Sequence, residues 1–262
     1  MAVGIELSWS AKQYVAFEDE RTRPVRDLLA ALPPIDAHAA IDLGCGPGNS
    51  TEVLAACYPQ ANISGIDSSS DMIEAARSRL PHVRFLVADL QTWQEAGPFD
   101  VILANAVLQW IANHESLLPS LVGRLAPRGA LALQMPDNLD EPAHRLMREV
   151  AAHGPWAAKL AASSAARTPI QGAAWYYELL RPLCSKVDLW RTTYYHFLAG
   201  GAEALVEWFK GSGLRPFLEP LDIAERSEFL ERYTAAIARA YPPVTDGSVI
   251  LPFPRVFLTA IR

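Results

Sequence analysis

Cysteine is scarce in this sequence. Its 262 residues include three cysteines, Cys45, Cys57 and Cys184, and no Cys-x-x-Cys pair. Three widely spaced cysteines do not make a complete disulfide framework, which favours a reducing, intracellular compartment. The six histidines form no His-Glu-x-x-His motif and no cluster with zinc spacing. We therefore expect no metal site.

Long apolar runs and excess positive charge are also missing. The opening stretch MAVGIELSWSAKQY has neither the basic start nor the apolar segment of a signal peptide. No stretch reaches the apolar length needed to span a bilayer. The formal net charge is −6, which argues against nucleic acid or an anionic membrane as a partner. A small anionic substrate stays compatible, because a few local arginines would suffice to hold it.

The first half of the sequence alternates between strand and helix patterns. This order predicts an α/β fold with a doubly wound parallel sheet, and a ligand beyond the carboxyl ends of the strands. We expect Asn49 or Ser50 to cap the first crossover helix, and Ser68 with Asp71 to cap the second. The predicted strands are Ala39–Leu43, Asn62–Ile66, Val83–Val87, Phe99–Asn105, Gly129–Met135 and, after a mainly helical stretch, Val187–Leu198 and Phe253–Ile261.

The strongest motif is a glycine-rich loop, Asp42-Leu43-Gly44-Cys45-Gly46-Pro47-Gly48, between a predicted strand and a predicted helix. Glycines at alternate positions let the backbone turn tightly and approach a ligand closely. The helix that follows presents unpaired N–H groups to the same ligand. Asp67 ends the second predicted strand, where a carboxylate can accept both hydroxyls of a ribose. The alternative is a glycine turn that binds nothing, but the full combination predicts a nucleotide site.

The spacing of the loop distinguishes between nucleotides. Dinucleotide-binding enzymes use G-x-G-x-x-G, whereas this loop reads G-x-G-x-G, so a nicotinamide oxidoreductase is disfavoured. Asp42 precedes the loop, and a carboxylate there suits a cationic ligand better than a pyrophosphate. S-adenosylmethionine carries such a cation, with a sulfonium and an ammonium group.

These motifs resemble those of the class I methyltransferases, whose first motif is D/E-x-G-x-G-x-G. The similarity extends to Asp67, to Ala88-Asp89-Leu90 and to Asn105. It implies a mostly parallel seven-stranded sheet with an antiparallel last strand, S-adenosylmethionine as cofactor and S-adenosylhomocysteine as product. Asp67 would bind the ribose and Asp89 the adenine amino group, with Cys45 a small loop residue rather than a nucleophile. The full implied cofactor set is Asp42, Gly44, Cys45, Gly46, Gly48, Asp67, Ser68, Met72, Asp89, Leu90 and Asn105.

Several further segments are similar to one family in this class, the bacterial trans-aconitate 2-methyltransferases. They are Tyr14–Pro24, Gln134–Asn138, Glu141–Val150, Trp190–His196, Gly213–Pro216 and Phe253–Arg255, whereas His153–Gly172 has no match. The resemblance implies a cytoplasmic enzyme that esterifies one carboxylate of a small tricarboxylic acid, with trans-aconitate as the expected substrate among such acids. A carboxylate is ionised at neutral pH, so we expect no catalytic general base.

The same resemblance implies how the chain is divided and where the substrate binds. Residues 1–38 would form an N-terminal helical segment that closes over the site, 39–136 the cofactor-binding core, 137–186 and 199–251 helical cap insertions, and 187–198 and 252–262 the last core strands. The substrate-binding candidates are Trp110, Tyr194, His196, Arg215, Arg255, Tyr14 and Arg21. For Trp110, packing in the core is an equally good interpretation.

Several alternatives stay open on the sequence. The enzyme could methylate another acid, including a carrier-linked one, or a carbon or nitrogen atom of a different metabolite. A module that binds S-adenosylmethionine without catalysis would carry the same core motifs. We expect a monomer or a weak homo-oligomer.

Overall fold

The computed structural model describes residues 18–163, 167 and 169–262. Of the predicted substrate-binding residues, Tyr14 lies outside the described residues. Arg21 lies on the first described helix, but its side chain is outside the description.

Seven strands form one sheet in the described part of the chain. They are β1 (Ala39–Leu43), β2 (Asn62–Asp67), β3 (Arg84–Val87), β4 (Phe99–Asn105), β5 (Leu125–Pro136), β6 (Lys186–Leu198) and β7 (Val249–Ile261). Their order in the sheet is β3-β2-β1-β4-β5-β7-β6. The neighbours among the first five strands pair in parallel, and β5 pairs with β7 in antiparallel fashion. The predicted α/β class with a mostly parallel seven-stranded sheet is therefore confirmed.

The helices include those that connect the parallel strands and a group between β5 and β7. A short 3₁₀ helix, Leu108–Trp110, follows β4. The described helices are α1 (Glu18–Ala30), α2 (Asn49–Cys57), α3 (Ser70–Arg79), α4 (His114–Gly123), α5 (Pro142–Ala152), α6 (Ala157–Leu160), α7 (Ala173–Leu180), α8 (Gly201–Lys210), α9 (Arg215–Leu218) and α10 (Ile223–Ala240).

Two strands begin earlier than their sequence pattern predicts. β5 starts at Leu125, because a register shift opposite Phe99 accommodates the Pro127-Arg128-Gly129 segment, in which Arg128 has a φ of 67°. A proline followed by a residue in the left-handed conformation is typical of a turn, so the sequence pattern did not predict the first residues of this strand. β7 starts at Val249, and its first residues were not predicted as strand because prolines stand at positions 252 and 254.

The predicted helix caps are wrong by one residue. Helix α2 is preceded by Gly48 in the left-handed conformation, with no side-chain cap, and Asn49 and Ser50 are its first two residues. The hydroxyl of Ser50 instead donates to Asp42 in β1. Helix α3 is capped by Ser69, which accepts the N–H of Met72, rather than by Ser68.

The described residues form two compact units. The core unit contains residues 18–136, Pro169–Thr192 and Arg255–Arg262, and the second unit contains 137–163, 167 and Thr193–Pro254. The core unit has an aliphatic centre that includes Ile102 and Leu133. Aromatic side chains pack in the second unit, where the rings of Trp156 and Phe229 lie 5.4 Å apart. The boundary between residues 136 and 137 coincides with a predicted segment boundary, whereas α7, which lies in the predicted cap insertion 137–186, belongs to the core unit.

Among the residues that the structure describes, no helix has both the length and the apolar composition needed to cross a membrane. The same described residues include no group of three or more His, Cys, Asp or Glu side chains that could hold a metal ion.

Candidate functional site

The glycine-rich loop joins the end of β1 to helix α2. The backbone N–H groups of Gly44 and Cys45 both donate to the carbonyl oxygen of Ile66, at 2.8 and 2.9 Å. Gly44, Gly46 and Gly48 have φ values of 68°, 53° and 88°. Residues with side chains rarely adopt this left-handed conformation, so the loop requires glycine at all three positions.

The surroundings of the glycines separate packing from ligand space. A Cβ atom on Gly44 would lie 2.4 Å from Cγ2 of Val107, and one on Gly48 would lie 3.3 Å from Ala76. A Cβ atom on Gly46 would meet no atom of the described residues within 4 Å. Gly44 therefore allows close packing of the loop on the turn after β4, whereas Gly46 presents its backbone to open space.

Asp67 lies at the end of β2 and fixes the loop. Its Oδ2 atom accepts the N–H of Gly46 at 3.0 Å, and its Oδ1 atom accepts the N–H of Ser69 at 2.9 Å. Burial raises the pKa of this carboxyl group, and the backbone hydrogen bonds from Ser69, Gly46 and Ser68 oppose the rise. Each carboxylate oxygen has two lone pairs, so Asp67 can still accept hydrogen bonds from a ligand.

Asp42 is completely buried in β1, directly before the loop. The hydroxyls of Ser50 and Thr51 both donate to its Oδ2 atom at 2.7 Å. The pKa of Asp42 is raised to about 7, mainly by burial and to a smaller extent by the nearby charge of Asp67, while the two hydrogen bonds oppose the rise. The other oxygen, Oδ1, has no hydrogen-bond partner among the described residues. A cationic ligand beside the loop would stabilise the ionised form of this buried group.

The remaining predicted cofactor residues surround the ends of β2, β3 and β4. Asp89 is exposed and accepts the N–H of Gln91 at 2.9 Å, while Leu90 beside it is buried. Met72 is buried and Ser68 is exposed. All of these residues belong to the core unit.

The side chain of Cys45 is buried in the loop. Burial raises the pKa of its thiol, and the charges of Asp42 and Asp67 raise it further. The thiol therefore stays protonated at neutral pH and is a poor nucleophile, in line with its interpretation as a small loop residue.

The turn after β4 contains strain that the sequence does not reveal. Ala106 has a φ of 54°, and its N–H donates to the carbonyl oxygen of Gln134 at 2.8 Å. Non-glycine residues in this conformation are uncommon and concentrate at functional sites. Asn105, directly before it, is buried, and its Oδ1 atom has no partner within the described part of the chain. Trp110 ends the 3₁₀ helix that follows and is half-buried.

Arg255 is a further predicted substrate residue of the core unit, besides Arg21 and Trp110. It lies in β7 and is buried, with 4% of its surface exposed. Its Nη1 atom donates to Oε1 of Gln134 in the adjacent strand β5 at 3.1 Å. Arg255 is predicted from the sequence as a site residue and Gln134 is not, although the segment Gln134–Asn138 belongs to the family resemblance.

Three predicted substrate residues belong to the second unit. Tyr194 and His196 in β6 are buried, and the His196 ring stacks on Trp208 with 4.5 Å between ring centroids. Arg215 in α9 contacts Glu219 at 3.4 Å. Burial lowers the pKa of Arg215, and Glu219 opposes this change.

The second unit also contains a polar cluster that is not predicted from the sequence. Arg167 donates from Nη1 to Oδ1 of Asn138 at 2.8 Å and lies 3.5 Å from Nε2 of His144. Burial lowers the pKa of His144 well below its ordinary value, and the charges of Arg167 and Arg148 add to this effect. His144 is therefore neutral at physiological pH. Arg167 falls in His153–Gly172, the segment without a family match, so no signal in the sequence marked it.

The sequence of this chain is similar to those of known methyltransferases. A family model described as a methyltransferase domain matches residues 40–129. A trans-aconitate 2-methyltransferase of Methylobacterium nodulans is 56% identical, covering 97% of this chain and 98% of the relative. One of Rhodopseudomonas palustris (strain BisB18) is 52% identical, covering 97% of this chain and 99% of the relative. The chain belongs to the trans-aconitate 2-methyltransferase family.

A solved structure agrees with the fold of this family member. A phosphoethanolamine N-methyltransferase of Haemonchus contortus, in complex with phosphomonomethylethanolamine and S-adenosylhomocysteine, superposes with a TM-score of 0.54 at 15% identity. The match covers 91% of this chain and 52% of that protein. The predicted family and its class I methyltransferase fold are thereby confirmed.

Proposed function

We propose that this chain transfers a methyl group from S-adenosylmethionine to a carboxylate of trans-aconitate, which gives the monomethyl ester and S-adenosylhomocysteine. The observation that carries the proposal is the identity of 52–56% with trans-aconitate 2-methyltransferases along nearly the whole chain. The glycine-rich loop supplies the matching chemistry, with Asp42 directly before it and Asp67 at the end of β2 accepting the N–H of Gly46.

The residues of the core unit fit S-adenosylmethionine. When bound, the cofactor supplies a methyl group on a positively charged sulfur, which makes that methyl group an electrophile. Among the described residues, Gly46 leaves open space beside the loop, and Asp42 supplies a carboxyl group with one oxygen that has no hydrogen-bond partner. We assign the ribose hydroxyls to Asp67 and the adenine amino group to Asp89. The rest of the proposed cofactor set is Gly44, Cys45, Gly48, Ser68, Met72, Leu90 and Asn105.

The substrate needs to be held and aligned rather than deprotonated. Its carboxylates are ionised at neutral pH, so the chain has no need of a general base, and alignment with exclusion of water supplies most of the rate. A guanidinium group matches the planar geometry of a carboxylate and stays charged, which favours arginine as the anchor. We propose that substrate contacts come from Trp110, Tyr194, His196, Arg215, Arg255, Tyr14 and Arg21.

Transfer of a labelled methyl group to a panel of acids tests the proposed activity. The panel contains trans-aconitate, cis-aconitate, citrate and a monocarboxylic acid, with an amine as a control for nitrogen methylation. We expect the highest kcat/KM for trans-aconitate and none for the amine. Equal transfer to a monocarboxylic acid, or transfer only to the amine, would overturn the proposal.

We also propose a cytoplasmic enzyme that is monomeric or weakly oligomeric and binds neither nucleic acid nor membranes. The net charge of −6 and three free cysteines support this proposal. Light scattering after size-exclusion chromatography, at several concentrations, tests the oligomeric state. A stable tetramer that does not dissociate on dilution would contradict it.

A further inference from the structure

Gln134 is a buried polar residue in the middle of the sheet. None of its surface is exposed, and it lies in β5 between two neighbouring strands, β4 and β7. A carboxamide at such a position costs free energy unless its donors and acceptors are satisfied. Its Nε2 atom has no hydrogen-bond partner among the residues that the structure describes. Buried polar atoms without a hydrogen-bond partner are rare in native cores, so this one needs an explanation.

The orientation of the Gln134 amide is fixed by its neighbour. Arg255 donates from Nη1 to the amide oxygen at 3.1 Å. A guanidinium group has donors but no acceptor, so only the oxygen of the carboxamide can face it. The NH₂ group therefore points away from Arg255, and the atom without a partner, Nε2, is a hydrogen-bond donor.

The register of the sheet puts this donor in a row of polar side chains. Gln134 pairs with Asn105 of β4 on one side and with Phe257 of β7 on the other. Arg255 pairs with Pro136, two residues along β5, so its side chain shares a face with that of Gln134. Asn105, Gln134 and Arg255 thus form a row on one face of three adjacent strands. The row lies near the carboxyl ends of β4 and β5, where ligands of such sheets bind.

We propose that Gln134 recognises a carboxylate of the substrate, donating from Nε2 to a carboxylate that is not methylated while its Oε1 holds Arg255 in place. This assignment rests on the proposed function, and it adds a specificity residue to that site. A carboxylate offers about four lone-pair positions, so it can accept from the amide and from the guanidinium together. The pair selects an anion with two or more carboxylates, because one is consumed in the reaction and another must be bound.

Two substitutions test this role with different chemistry. Gln134→Leu keeps a similar side-chain volume and removes the proposed donor to the substrate. Gln134→Glu keeps the acceptor for Arg255 but puts a negative charge next to the proposed position of the substrate carboxylate. Thr259→Val is the matched control, because Thr259 is a buried polar residue on the same face of β7, opposite Ala132. Michaelis constants for trans-aconitate, kcat at saturation and the affinity for S-adenosylhomocysteine are measured for each folded variant.

We expect Gln134→Leu to raise KM for trans-aconitate about tenfold or more, as the loss of one hydrogen bond to a charged group would. Gln134→Glu should raise KM further, because the added charge repels the substrate and pairs with Arg255. In both variants kcat should stay within about threefold, and the affinity for S-adenosylhomocysteine should stay the same. The control should change none of these values. Where Gln134→Leu does not fold, Gln134→Glu carries the test, because it keeps the contact with Arg255.

Two results would overturn the assignment. An unchanged KM in a folded Gln134→Glu variant would show that no substrate carboxylate lies near this residue. A matching loss of affinity for S-adenosylhomocysteine would show that the donor serves the carboxylate of the cofactor instead. Both require a wild-type protein that is active on trans-aconitate. A wild-type protein inactive on every acid would instead overturn the proposed function, and this assignment with it.

Discussion

The hydroxyl of Ser50 donates a 2.7 Å hydrogen bond to Oδ2 of Asp42, from the first turn of α2 to the end of β1. Thr51 donates to the same oxygen, and Oδ1 has no partner among the described residues. One oxygen of this buried carboxyl group is therefore fixed by two hydroxyls, and the other oxygen is buried without a described partner. Its burial raises the pKa to about 7, which places its titration in the physiological range.

Cofactor affinity should depend on pH through Asp42. The raised pKa means that Asp42 is mostly protonated at pH 6 and mostly ionised at pH 8. A cationic ligand favours the ionised form, so the affinity for S-adenosylmethionine should rise by about tenfold across this range. Calorimetric titrations at several pH values measure this change. Asp42→Asn should remove the dependence, whereas Asp100→Asn, at the opposite end of the β1–β4 pair, should keep it.

Gly46 and Gly44 should respond differently to alanine. Both have positive φ values, so each substitution should cost about 1–2 kcal/mol in the free energy of unfolding. Gly44→Ala also forces a Cβ atom against Val107 and should destabilise the cofactor-free protein more. Gly46→Ala should mainly weaken cofactor binding, because its Cβ would occupy open space beside the loop.

Gly247→Ala is the control for this comparison. Gly247 has a φ of 83° and lies outside the proposed site, and a Cβ atom on it would meet no atom within 4 Å in the described part of the chain. It should show the backbone cost without any loss of cofactor affinity. Equal affinities for S-adenosylhomocysteine in Gly46→Ala and Gly247→Ala would refute the proposed place of the cofactor.

Asp67→Ala should weaken cofactor binding by about 1.5–3 kcal/mol through the loss of a charged acceptor for the ribose. The same substitution frees the N–H groups of Gly46 and Ser69, so thermal unfolding without cofactor should also shift to lower temperature. Asp67→Asn retains one acceptor and should lose less of both. If calorimetry finds the affinity of folded Asp67→Ala unchanged, the ribose lies elsewhere.

Arg255→Ala should raise KM for trans-aconitate by about ten- to hundredfold with nearly constant affinity for S-adenosylhomocysteine. The substitution also removes the guanidinium group that donates to Oε1 of Gln134, so the free energy of unfolding should fall as well. Arg215→Ala should have a smaller effect, because Arg215 is already engaged by Glu219. Arg191, which is exposed on β6, is the control for loss of positive charge. A KM for Arg255→Ala no higher than that for Arg191→Ala would exclude Arg255 from the substrate site.

The glycine-rich loop and the acidic residue at the end of β2 could be predicted because their sequence signals are local. A glycine loop after an apolar strand and an acid at the end of the next strand are both defined by neighbours in sequence. The hydrogen bonds from Ser50 and Thr51 to Asp42 could not be predicted in this way, and Ser50 had the pattern of a helix cap. Their real role depends on how the helix packs against the strand.

The contact between Gln134 and Arg255 shows the other limit. The two residues are 121 positions apart and meet only because β5 and β7 are antiparallel neighbours in a particular register. A one-residue slip would turn either side chain to the opposite face. No periodicity in the sequence fixes that register. The left-handed Ala106 was missed for a similar reason, because alanine carries no signal for such a turn.

Analysis of the methylated product tests the central claim most directly. The protein is incubated with trans-aconitate and S-adenosylmethionine labelled in its methyl group, and the isolated product is treated with mild alkali. A carboxyl ester is cleaved under these conditions, so the label should leave as methanol, with one methanol released for each molecule of trans-aconitate recovered from the product. Label that survives the alkali would place the methyl group on a carbon atom of trans-aconitate and contradict the account.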